Sequence, residues 1–253
     1  MLLVAISLAD NYLNAGIAEN EFSAMKQFMQ TVGLQTDDVA WISGRTQTIR
    51  YASKFGNVKF ESLALNYTVY VNKGAGYVYA ANFTVGILLF NMPVSKYSIG
   101  NNYFERIYPS SDSSFLQNGT AAPISNIFSL EKVPMDDGSY VRIVVAPSIR
   151  MLNSTISNGG QQKNYFKFYL PVFLSGTNRY LSQSVTLSGT TINARTEEGV
   201  NLMKIVVSYP KASLGYDANF FDFSSSEQII DVPDGSIMEF YSGGVIVSLG
   251  LTV

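Results

Sequence analysis

The stretch LLVAISLADNYLNAGIAENEFSAMKQFMQTV, residues 2–32, contains no proline and carries its apolar residues at helical spacing. Leu2, Ile6, Leu8, Leu13, Ile17, Met25, Phe28, Met29 and Val32 line one stripe of a rod, which predicts a long helix that must bury that stripe. Gly33 is a natural stop. Thr36 followed by Asp37 and Asp38 has the pattern of an N-cap with acidic first-turn residues, so a short second helix is expected through Val39, Trp41 and Ile42 as far as Gly44. Beyond Gly44 the apolar period drops to two. Leu65-Tyr67-Val69-Val71, Phe83-Val85-Ile87-Leu89 and Phe166-Phe168-Leu170-Val172-Leu174 each set apolar side chains on one face of a strand. The expected fold class is α+β, a long N-terminal α-helix (a stalk over residues 1–44) followed by a predominantly β, sandwich-like head over residues 45–253.

Further strands are expected at 104–108, 127–133, 140–146, 180–187, 202–209, 228–232 and 237–241, separated by Gly, Pro, Asn and Asp, the rhythm of a sandwich or barrel. Val245, Val247, Leu249, Leu251 and Val253 alternate along the end of the chain, so a strand there must be buried. Pro171 inside its apolar run points to an edge or a bulge. The Ser- and Asn-rich segment 109–126 is expected as a long loop or a sub-boundary between two β modules, and 153–162 as a second polar loop.

Composition excludes several classes of function. Of 253 residues none is His and none is Cys, which rules out Ser-His-Asp and Cys-His catalysis, thiolate or imidazole zinc sites and iron–sulfur ligation. Charged residues make up 14% against about 25% in average soluble domains, while Tyr and Phe number 16 each. The surface is therefore polar but weakly charged. A net charge of -2 with no dense basic run gives nucleic acid little to bind.

The opening run from Leu2 to Ala9 is almost wholly apolar, yet as a helix it spans about 12 Å, far short of a bilayer core of about 30 Å. It lacks the basic flank of a secretory signal. A buried core helix and the lower end of a longer hydrophobic helix are the remaining readings, and the second is favoured. Such a helix would reach a membrane through a segment preceding Met1.

Two parts of the chain carry a family likeness. Glu19-Asn20-Glu21-Phe22 through Met25 to Gln35, then Asp37-Asp38-Val39-Ala40-Trp41 and Gly44-Arg45-Thr46-Gln47-Thr48-Ile49-Arg50-Tyr51, resemble archaeal surface proteins of the type IV pilin-like or archaellin-like group. In that group an apolar helix precedes a β-rich extracellular domain. The resemblance covers roughly the first fifty residues and implies an extracellular, cell-surface subunit of a pilus-like or archaellum-like filament, whose partners are copies of itself. In that reading Leu2, Ile6, Leu13, Ile17, Met25, Phe28 and Met29 form the assembly stripe, buried among neighbouring helices as in a bundle.

Four sequons begin at Asn66, Asn82, Asn118 and Asn153; with 19 Asn and 43 Ser plus Thr, chance alone supplies about three. Asn118 and Asn153, in expected loops, are the better candidates for a glycan. Asp136-Asp137-Gly138, Glu197-Glu198-Gly199 and the run from Asp231 to Gly235 are explained by turn chemistry and match no calcium loop. No nucleotide-binding or nucleophile-elbow motif occurs. The chain is accordingly expected to be no enzyme and to need no metal or cofactor. Tyr77, Tyr79, Tyr165, Phe166, Phe168, Tyr169, Phe220, Phe221 and Phe223 are weighed chiefly as core and subunit contacts. Exposed tyrosines on a sheet supply the alternative, a monomeric cell-surface β-sandwich that binds glycan, with the helix folded back on its own sheet.

Overall fold

The computed structural model describes residues 2–158, 161–179 and 183–250, with residues 2–12 as helix backbone alone. One N-terminal helix is followed by a large mixed β-sheet, as the change of period predicts. Helix α1 (Leu2–Ala40) is 39 residues long, about 58 Å. It passes through Gly33 without stopping, and no separate helix starts at Thr36. A glycine in a helix interior costs about 1 kcal/mol relative to alanine, but here a Cβ would lie 2.6 Å from Ile127 Cδ1. Gly33 is therefore a point of close approach to the sheet, which helical spacing alone could not reveal. Thr36 is fully buried, and its hydroxyl donates to the Val32 carbonyl at 3.0 Å, the bond of a mid-helix threonine and not of a cap. Gly44, at φ +82°, closes the turn that follows.

The chain continues through β1 (Thr46–Arg50), β2 (Asn57–Asn72), β3 (Tyr77–Pro93), β4 (Tyr103–Tyr108), β5 (Leu116–Asn118), β6 (Ser125–Glu131), β7 (Tyr140–Pro147), β8 (Ile149–Asn158), β9 (Gln161–Asn178), β10 (Ser184–Ser208), the short helix α2 (Ala218–Phe221) and β11 (Glu227–Leu249). The hydrogen-bonded order is β4-β6-β7-β3-β2-β10-β11-β9-β8-β5, with β1 paired to β10. Among the described residues, pairing is antiparallel except between β9 and β11 and between β5 and β8.

Several expected turns lie inside strands. β10 absorbs most of two expected strands, and β11 absorbs two together with the terminal run as far as Leu249. Glu197-Glu198-Gly199 and the Asp231 to Gly235 run are bulges at which β10 and β11 bend together. The register slips between Glu197 and Val200 and again before Leu202, while Gly199 (φ +71°) and Gly235 (φ +80°) adopt the left-handed backbone. These glycines mark unusual backbone angles without ending the strand. Asn153 likewise lies within β8, not in a loop, because β8 and β9 stay paired from Arg150 to Asn158. Pro171 lies two residues beyond the part of β9 paired with β8, where, among the described residues, β9 keeps β11 as its partner on one side and has no paired strand on the other. Segment 109–126 contains β5 and the fully buried Phe115. Leu251 and Val253 lie outside the described residues.

The sheet folds back so that both of its faces are covered. One apolar cluster gathers Leu65, Val85, Phe128, Val144, Phe168, Ile205 and Phe240 between strands distant in the sheet order. The second lies under the helix, where Phe22, Met25, Met29 and Val32 meet Phe90, Ile143, Val145, Val185, Val245 and Val247. Strand alternation serves both: Val144 and Ala146 of β7 face the first cluster, Ile143 and Val145 the second.

Candidate assembly surface

Among the residues whose side chains are described, helix α1 divides into a docked half, residues 18–40, and a free stretch, residues 13–17. Leu13 is 61% exposed and Ile17 44%, and the intervening Asn14, Ala15 and Gly16 are exposed as well. A full turn and more of helix thus touches solvent on every side. The next residue, Ala18, is buried, and from there Phe22, Met25, Met29 and Val32 enter the second cluster. The expectation that the whole stripe is covered by other chains is corrected here: Met25 and Met29 are covered by this chain's own head, and Phe28 is half-buried with its ring 5.0 Å from that of Tyr51. Periodicity announces a buried face without saying what buries it. Leu2 and Ile6 belong to α1, and their side-chain surroundings lie outside the described residues.

Polar anchors hold the docked half in register. The Glu21 carboxylate accepts from the backbone N–H groups of Lys54 (2.8 Å), Phe55 (3.1 Å) and Gly56 (3.1 Å) and from the Ser53 hydroxyl. Successive amides turned toward one anion form a nest. Gly56 is needed in that turn because a Cβ there would fall 2.2 Å from the Phe90 ring. One turn and a little further along the helix, Lys26 donates to Glu105, which also receives the Tyr103 hydroxyl (2.7 Å) and the Ser129 hydroxyl (3.1 Å). Burial pushes the Glu105 carboxyl up, but these donors outweigh it and hold the group below its ordinary value. The Tyr103 phenol is pushed up to about 12, by burial first and by the adjacent Glu105 second. Near the end of the helix, Asp37 receives Arg150 Nη1 and Nη2 at 2.8 and 3.0 Å and Trp41 Nε1 at 2.8 Å. The indole meets Tyr169 edge-on at 5.3 Å. Two glycines admit the helix end: a Cβ on Gly189 would sit 2.3 Å from the Val39 carbonyl oxygen, and one on Gly243 2.3 Å from that of Ala40.

The remaining sequence candidates are scattered. Asp137 forms a forked ion pair with the fully buried Arg142 (3.0 and 2.5 Å) and accepts the Tyr216 hydroxyl at 3.1 Å. Burial raises its carboxyl, and the Arg142 bonds more than reverse that, so this acid braces a turn. Among the described residues no group of three or more acidic side chains is placed to hold a metal. The sequon residues Asn82, Asn118 and Asn153 are exposed, whereas Asn66 is half-buried and accepts the Thr84 hydroxyl at 3.0 Å. Phe168, Phe220 and Phe221 are core residues, while Tyr77 and Tyr79 are exposed.

No protein-family model, curated protein or solved structure matches this chain. The helix and its anchors therefore carry the functional reading. Glu21, Lys26 and Asp37 were legible only as polar residues on a helix; nothing in their spacing distinguishes an anchor from a solvated side chain. No helix among the described residues is long and apolar enough to cross a membrane.

Proposed function

We propose that the chain is a non-enzymatic, extracellular structural subunit that assembles through its N-terminal helix into a pilus-like or archaellum-like filament, with a sandwich-like β head outside the helical core. The observation that supports this reading is the contrast along α1: the docked half is anchored by buried side chains and ion pairs, while Leu13 and Ile17 stand free on a helix that continues toward an apolar end. Apolar side chains on a projecting helix gain about 25 cal/mol per Å² when neighbours cover them. Parallel or staggered packing of such helices, with weakly charged heads side by side, desolvates few ions.

Sedimentation of the full chain over a concentration series, with electron microscopy of the pellet, tests the proposal. Large oligomers or filaments are expected, and Leu13→Glu with Ile17→Glu should return the chain to a monomer with an unchanged melting temperature. A full chain that stays monomeric to its solubility limit overturns the reading. The second reading, a monomeric cell-surface β domain that binds glycan, draws support from the half of the helix that does fold back on its own sheet.

A further inference from the structure

An open groove borders β3 where that strand lacks a second neighbour. β7 pairs with β3 only from Leu88 onward, and Tyr79, Asn82 and Thr84 border open space across from β9, β10 and β11. The groove measures about 620 Å³, and its lining includes Tyr79, Asn82, Thr84, Thr190, Asn193 and Ser242. Tyr79, 56% exposed, offers a flat apolar ring, and the other five offer hydroxyls and amides. At one end Arg195 is held by Glu197 at 3.0 Å, and Glu197 also binds Lys73 at 3.1 Å.

Charge, polarity and size together select a class of ligand. Arg195, the cation among the lining residues, is already paired with Glu197, so a strongly anionic ligand meets no uncommitted cation there. A wholly apolar ligand would strip water from hydroxyls and amides without replacing their hydrogen bonds. A sugar ring has both kinds of surface, a C–H face for the Tyr79 ring and an equatorial set of hydroxyls for Asn82, Asn193 and the threonines. We propose that this groove binds a neutral oligosaccharide, about two or three rings long to suit its volume. The inference does not depend on whether the helix assembles.

The test is calorimetric titration of the full chain, made in a host that does not N-glycosylate, with maltotriose, cellotriose, mannotriose and triacetylchitotriose up to about 10 mM. At least one should bind, and Tyr79→Ala and Asn193→Ala should each weaken it about tenfold or more while leaving the melting temperature in place. Binding by none of the four overturns the proposal. So does equal binding by both variants, or binding confined to a charged probe such as trigalacturonate. Because Asn82 is itself a sequon residue, a second arm uses the chain from a glycosylating host. If trisaccharide binding disappears there and returns on enzymatic removal of the glycan, the chain's own sugar fills the groove; if binding persists, the sugar comes from another molecule. Either result keeps the assigned ligand chemistry.

Discussion

Two stretches of α1, residues 13–17 and 18–40, share one apolar pattern and meet opposite surroundings. Met25 and Met29 are buried against the sheet, whereas Leu13 and Ile17, on the same stripe, are exposed. What separates them is the reach of the head: the 53–56 turn that captures Glu21 is near the limit of what the sheet covers, and toward the N-terminus, among the described side chains, Ala18 is the last buried residue and a contact from Lys54 Nζ to Asn14 at 3.3 Å lies beyond it. A hydrophobic stripe therefore encodes a need for cover, and the shape of the rest of the molecule decides how much of it is met within one chain.

The comparison breaks most sharply at the floor beneath the docked half. Leu249→Asp puts a carboxylate into the cluster that receives the helix and is expected to cost several kcal/mol, about that of a lost core leucine plus an unpaired buried charge, read from denaturant midpoints. A midpoint that barely moves would mean the end of β11 is dispensable to helix docking. Met29→Ala should cost about 2–5 kcal/mol as a cavity, on the same measurement. Glu21→Ala leaves the amides of residues 54–56 without their acceptor and should cost about 1–3 kcal/mol, with faster hydrogen exchange confined to that turn; exchange that is unchanged there would remove the nest from the account.

Acid should loosen the docked half through Glu105. Its folded carboxyl sits below its ordinary value, so the stability it contributes is present above the unfolded value and is lost as pH falls through the folded one. The melting temperature is expected to be flat between about pH 6 and 8, since no histidine titrates there, and to fall below about pH 4. In Glu105→Gln, whose charge is already gone, the acid-induced loss should shrink; an unaltered pH profile would assign it to other acids. The smallest effect belongs to the free stretch: Leu13→Ala should change monomer stability by no more than about 0.5 kcal/mol. A cost equal to that of Met29→Ala would show that the free stretch is covered after all.

Much of the fold was legible because strands with one buried face must alternate. The runs 65–71 and 83–89 lie in β2 and β3 with their odd-numbered apolar positions inward, apart from the half-buried Phe83. Boundaries were less legible where a glycine has two uses. Gly33 looked like a helix stop and is a contact; Gly199 and Gly235 looked like turn ends and are bulges inside long strands. A missing side chain serves a bend, a stop or a close approach equally well, and only the neighbouring atoms distinguish them. The candidate surface was half legible: the stripe was visible, its division was not.

By itself the sequence determined that a long helix precedes a β-rich region, that the alternating run through Val245, Val247 and Leu249 needs burial, and that these 253 residues supply no imidazole or thiolate. These follow from local period and from residue type, which operate over a few residues at a time. Tertiary structure decided that Glu21, Lys26 and Asp37 are anchors, that Met25 and Met29 are satisfied within the chain while Leu13 and Ile17 are not, and that Tyr79 shares a groove with Asn193. Each of these joins residues far apart in the chain, such as Lys26 with Glu105 or Asp37 with Arg150. Contacts of that range depend on strand order and on where the sheet folds back, which no local pattern encodes.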